Sequence, residues 1–266
     1  MAESEHQDVM VIREGAVATV LLNRAELHNA FNEAVIAELT RVFTELGTDE
    51  GVRAVLLRGN GPSFSAGADL TWMKRMSSYT REQNREDAMG LALMLKALNF
   101  MPKPTIAVVH GPAFGGGVGL VACCDMAVAT DTATFCLSEV KLGLIPATIG
   151  PYVVAAMGER NCRRYFLTAE RFSASEAKAA GLVHEVVPAA ELDTTVETLL
   201  KRIMEGGPKA QRASKELIFA VGSRPVDTYV IHDTADRIAD ARAGAEGREG
   251  VGAFLEKRKP SWMLKG

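Results

Sequence analysis

The sequence has no long apolar run, no surplus of basic charge and little cysteine. No stretch approaches the roughly 18 consecutive apolar residues of a membrane span, so no membrane partner is expected. The first eight residues, Met1 to Asp8, are polar and acidic, and lack both the basic start and the apolar core of an export signal. Thirty Lys and Arg stand against 33 Asp and Glu, a formal net charge of -3, which offers no basic field to nucleic acid. The four cysteines, Cys123, Cys124, Cys136 and Cys162, include no C-x-x-C pair and sit among apolar neighbours. They read as buried reduced thiols of a cytoplasmic protein, with no metal site. Low-complexity segments are also missing.

What remains is an ordinary globular balance, 47% hydrophobic and 24% charged, in a chain suited to one large domain or one with an appendage. Val9 to Ile12 and Ala16 to Leu22 form β-rich runs around Arg13-Glu14-Gly15, a hairpin signature. Phe31, Val35, Leu39, Val42, Phe43 and Leu46 recur at helical spacing, and Gly47 is the expected stop. Val52 to Leu57 and Thr105 to Val109 read as buried strands, with one polar helical stretch between about Leu70 and Phe100. From Ala190 onward the pattern is helical, broken at Gly206-Gly207-Pro208 and Gly222 to Pro225. The expectation is an α/β core over 1–190 and a helical region over 191–266. That region ends in a basic tail, Lys257, Arg258, Lys259 and Lys265.

Two glycine-rich segments each follow a strand: FSAGADL, Phe64 to Leu70, and GPAFGGGVGL, Gly111 to Leu120. Glycine lets backbone N–H groups turn toward a ligand, and a helix start leaves those groups without partners. Two such turns facing each other would make a two-donor oxyanion hole for a polarised carbonyl oxygen. Neither segment is a P-loop, and neither sits where a dinucleotide fingerprint would. Tight turns with close helix–strand packing are the alternative for either segment alone.

With Leu22-Asn23-Arg24, Cys124 to Ala127, FCLSEVKLGLIPA from Phe135 to Ala147, Leu167 to Pro188 and AFLEKRKPSW from Ala253, these segments run in order along nearly the whole chain. In this the sequence resembles the crotonase (enoyl-CoA hydratase/isomerase) family. The resemblance implies an α/β fold, a crotonase-like spiral of ββα units with a C-terminal helical trimerisation region. It implies an acyl-CoA thioester as partner, coenzyme A entering only as part of the substrate, no tightly bound cofactor, and a homo-oligomer, trimer or hexamer. Ala68 and Gly116 match the two oxyanion positions. The turn of Ala66, Gly67, Asp69 and Leu70 matches the coenzyme site, as do Arg24 and Leu27, and Lys257 is a candidate phosphate contact. Asp69 itself reads as a helix-capping or local hydrogen-bonding residue in preference to a catalyst.

Glu139 matches the second catalytic glutamate of the family's hydratases. The first falls three residues after the oxyanion glycine, at Gly119, which has no side chain. Hydration ordinarily needs two proton-transfer groups, so this departure leaves open a one-base Δ3,Δ2-enoyl-CoA isomerisation. The block Gly67 to Met76 and the stretch Gly119 to Glu139 resemble bacterial 3-methylglutaconyl-CoA and isohexenylglutaconyl-CoA hydratases. On that likeness Trp72, Lys74, Arg75 and Gly119 would line the acyl pocket, with one cation pairing a carboxylate on the acyl group. The expectation is a hydratase of a branched glutaconyl-CoA. Thioester hydrolysis and silent acyl-CoA binding are the rival readings.

Overall fold

The computed structural model describes residues 7–263, so Lys265 and most of the acidic N-terminus lie outside the described residues. Strand β1 (Val9–Glu14) pairs antiparallel with β2 (Val17–Leu22) around Gly15, whose φ of 57° suits the tight reversal. Along β2, Ala18, Val20 and Leu22 point into the core, a period of two that marks a half-buried strand. Then come α1 (Glu33–Thr48), β3 (Ala54–Gly59), α2 (Leu70–Met76), α3 (Arg81–Asn99) and β4 (Thr105–Val109). They are followed by the two-residue β5 (Ala113–Phe114), α4 (Gly116–Cys123), β6 (Met126–Thr130) and β7 (Thr134–Cys136). Next are α5 (Gly150–Thr168), β8 (Arg171–Ser173), α6 (Ala174–Ala179) and β9 (Glu185–Val187). Four helices complete the chain: α7 (Leu192–Glu205), α8 (Pro208–Val221), α9 (Thr228–Ala243) and α10 (Ala245–Leu255).

The main sheet has the order β1-β2-β3-β4-β6-β9, and every pair after the first is parallel. A small second sheet, β5-β7-β8, stands beside it. All five residues of β4 are buried, the continuous apolar run of a strand covered on both faces. On one face lie α1, α3 and α4. Val35, Ile36, Leu39, Val42, Phe43 and Leu46 of α1 are buried there. On the other face Leu192, Val196 and Ile203 of α7 pack against Leu56, Ile106, Val108 and Val128.

Three boundaries differ from those expected. Helix α1 runs through Gly47 to Thr48, and the Asp49 N–H closes it on Glu45 O. Helical hydrogen bonds on both sides outweigh the conformational freedom of one glycine. The stretch from Leu70 to Phe100 is two helices, because Thr80 and Gln83 form a capping box that starts α3 afresh. A division at residue 190 would separate α7 from the sheet it covers, so in packing terms the outer helical part begins at α8. Lys215 on α8 reaches back to Asp125 at 2.8 Å, and Phe219 packs on Phe100 with ring centroids 4.7 Å apart.

The four cysteines are unpaired, and burial pushes the Cys124 thiol up to about 12. No described helix is long and apolar enough to cross a membrane.

Candidate active site

The first glycine turn leaves β3 and bends at Gly67, φ 84°. It is tied to the start of α1 by the Phe31 N–H donating to Gly67 O at 2.8 Å and the Asp69 N–H donating to Phe31 O at 3.0 Å. Between these two anchors sits Ala68. Its N–H donates to no acceptor among the described residues. The second turn leaves β5 and bends at Gly115, φ 50°, whose N–H donates to Cys136 O at 2.8 Å. Gly116 is the first residue of α4, so its N–H has no acceptor within that helix. The two turns touch: a Cβ on Gly67 would stand 3.2 Å from the Gly116 nitrogen and 2.7 Å from Phe114 O. Only glycine permits that approach. Two unsatisfied N–H groups from separate turns therefore sit side by side at the positive end of a helix.

Glu139 opens a short 3-10 turn, Glu139–Leu142, after β7. Its Oε1 lies 3.3 Å from where a Cβ on Gly115 would be, which puts the carboxyl beside the second turn. Its Oε2 is buried and has no hydrogen-bond partner among the described residues. Burial pushes the carboxyl above the usual glutamate range, opposed by its own backbone N–H. Ala68, Gly116 and Glu139 all line one cavity of about 960 Å³. Phe31, Trp72, Met73, Met76 and Leu91 form much of its apolar wall. On α3 the stripe Asn84, Asp87, Ala88 and Leu91 faces inward at helical spacing. The segment Leu142 to Ile149 completes the cavity, and its Leu142, Leu144 and Ile145 are exposed.

Several sequence expectations are corrected here. Arg24 is buried and engaged within the protein. It donates to Ala30 O at 2.6 Å and pairs with Asp69 and Asp8, both at 3.3 Å. It braces the first turn instead of offering a free cation to phosphate. Asp69 caps α2, accepting from the N–H groups of Thr71 at 2.8 Å and Trp72 at 3.1 Å. Burial pushes its carboxyl up, but those N–H groups and Arg24 more than offset this and leave it low. Lys74 is exposed, and Arg75 is held by Glu33 at 2.5 Å. Neither lines the cavity, and no Lys or Arg does among the described residues. Helix α2 turns its Trp72 and Met73 face inward and its two cations outward.

Gly119 is also not a wall of the cavity. It is buried in α4, and a Cβ there would stand 2.2 Å from Ile149 Cγ2. Ile149 fills the space a glutamate side chain at 119 would need, so Gly119 makes room for this side chain and not for substrate. Leu27 and Leu70 are exposed, Ala66 is half-buried and Gly67 is buried. None of the four lines the cavity. Lys257 and Lys259 are exposed and do not line it either.

Three contributors carried no readable signal. Phe31 read as the first apolar residue of the α1 stripe, whereas it precedes that helix, which starts at Glu33. Its ring lies where a Cβ on Gly116 would stand, 2.3 Å from Cζ. Asp87 looked like one carboxylate in a polar helix. Ile149 followed a matching motif without being part of it.

A family model described as enoyl-CoA hydratase/isomerase matches residues 13–265. A putative enoyl-CoA hydratase of Thermus thermophilus is 35% identical over 250 residues, 94% of this chain and 98% of that protein. The short-chain-enoyl-CoA hydratase of Clostridium acetobutylicum is 33% identical, over 96% of this chain and 97% of its own length. The crystal structure of an enoyl-CoA hydratase from Shewanella pealeana superposes with a TM-score of 0.94 at 42% identity, covering 97% of each chain. The two-sheet α/β architecture described above is the crotonase fold.

Proposed function

The chain belongs to the enoyl-CoA hydratase/isomerase family, and from that premise we propose that it hydrates the conjugated double bond of an uncharged enoyl-CoA thioester. The observation that carries this reading is the meeting, in a single apolar cavity, of two N–H groups and one buried carboxyl oxygen that have no hydrogen-bond partner among the described residues. The thioester oxygen sits between the Ala68 and Gly116 N–H groups, which hold the negative charge that develops as water adds to the β-carbon. Glu139 delivers the proton to the α-carbon of the enolate, and its carboxylate takes back the proton that the adding water gives up, so that H and OH add across the double bond. Its raised affinity for a proton suits it to arrive protonated. Coenzyme A takes part only as a portion of the substrate.

An uncharged acyl group follows from the cavity lining. Its titratable members among the described residues are Glu139 and Asp87, both acids. A second carboxylate on the acyl group would meet no cation there, and an unpaired buried charge is costly. This replaces the branched glutaconyl group suggested by the Gly67 to Met76 block. Hydration followed by loss of the conjugated-thioester absorbance tests it on crotonyl-, 3-methylcrotonyl- and 3-methylglutaconyl-CoA. The dicarboxylic thioester is expected to have a kcat/KM lower by about tenfold or more, roughly 1.4 kcal/mol. A preference for it would return the acidic substrate. A second reading, Δ3,Δ2-enoyl-CoA isomerisation, would need only the one carboxyl beside the oxyanion turns. Turnover of 3-enoyl but not 2-enoyl thioesters would select it.

The protein is further proposed to act as a homo-oligomer, a trimer or a hexamer. Ile218, Tyr229, Ile231, Phe254 and Leu255 are exposed on α8, α9 and α10, more apolar surface than solvated helices usually present. Light scattering at micromolar concentration is expected to give three or six chain masses. A monomer mass would overturn the assembly.

A further inference from the structure

Behind the acyl cavity lies a second hollow of about 680 Å³, between α1 and the pair α2 and α3. Two residues line both spaces, Trp72 and Asp87. The Trp72 side chain is almost fully buried, at 3% exposure, so it stands as a wall between them. Its indole Nε1 donates to Asp87 Oδ1 at 2.9 Å, which spans the gap between α2 and α3. Helix α2 is only seven residues long, held at its start by the Asp69 cap. The indole–carboxylate bond is thus a second fastening for it. Of the apolar side chains that line the far hollow, Leu93 is half exposed, whereas Ile36 belongs to the buried core.

We propose that Trp72, fixed by Asp87, is the partition that sets acyl chain length in this enzyme. Short and medium acyl groups end against the indole. Longer ones would need the hollow beyond it, which the partition denies them. Trp72 is a specificity-determining residue on this account, and Asp87 is its positioning residue. The inference rests on the reading of the first cavity as the acyl site.

Asp87 can be separated from its charge, because asparagine keeps an acceptor oxygen for the indole N–H whereas alanine removes it. The test is the ratio of kcat/KM for dodecenoyl-CoA to that for crotonyl-CoA. Trp72→Leu is expected to raise the ratio about tenfold, the effect of seating between one and two further methylenes. The change should lie chiefly in KM for the long substrate. Asp87→Ala is expected to raise the ratio in the same direction, and Asp87→Asn to keep the parent value. An unchanged ratio in a folded Trp72→Leu protein would overturn the partition. So would Asp87→Ala and Asp87→Asn behaving alike, and this second comparison decides the matter if Trp72→Leu does not fold. Calorimetric binding of butanoyl- and dodecanoyl-CoA reads the same ratio without chemistry. Length discrimination in binding with no hydration would sink the hydratase reading and leave the partition standing. Hydration without length discrimination would do the reverse.

Discussion

Glu139→Gln is expected to lower kcat by about 100- to 10,000-fold while acyl-CoA affinity changes little. Glutamine keeps the shape of the side chain and removes its exchangeable acid. The Oε2 position is buried and has no hydrogen-bond partner among the described residues, so the change loses no internal bond there. Stability should move in the opposite direction. Burial raises the Glu139 proton affinity in the folded chain above that of the unfolded chain. The folded state then holds more protons in the window above the ordinary glutamate value of about 4.5. By linkage, stability is fully present below that value and is lost as pH rises through the raised one. Glutamine escapes this loss, so Glu139→Gln should melt higher than the parent at neutral pH, and the gap should close toward acid. Parent-like turnover in this variant would remove Glu139 from the mechanism. A melting difference independent of pH would remove the burial argument.

Replacing the Ala68 amide by an ester, through incorporation of lactic acid at that position, is expected to cost about 100- to 1,000-fold in kcat. The substitution deletes one N–H and leaves the methyl group and turn geometry in place. Ala68 is the better position for the experiment. Any β-carbon on Gly116 collides with the Phe31 ring, so proline or alanine there would report crowding as well as a lost donor. The deleted N–H has no acceptor among the described residues, and the Gly67 carbonyl, now an ester carbonyl, still accepts from the Phe31 N–H though more weakly, so the fold should be kept with a small loss of stability. If the ester variant turned over at the parent rate with a parent-like melting curve, Ala68 would not be an oxyanion donor.

The parts of this site that could be read in the sequence were those encoded by spacing. Glycines after strands predicted both turns, because a close backbone approach and a positive φ leave few other residues possible. The unpartnered N–H groups at Ala68 and Gly116 follow from that local geometry. The motif around Glu139 marked the carboxyl. Contacts distant in sequence were not legible. Arg24 looked available for phosphate because its partner Asp69 is 45 residues away. Lys74 and Arg75 adjoin Trp72 in sequence, yet a helix of 3.6 residues per turn sends neighbours to different faces. Gly119 looked like space, and Ile149, thirty positions later, already occupies it.

That last pair also constrains how this enzyme could have changed over time. A glutamate arriving at 119 while Ile149 is present meets a filled site, with overpacking and a buried charge acting together. A smaller residue arriving first at 149 leaves a void under α4 and exposes nothing useful until position 119 follows. Each single step is unfavourable in either order. A two-carboxylate site is therefore not reached by one favourable mutation at a time, and lineages carrying glycine and isoleucine at these positions should keep them together or exchange them together.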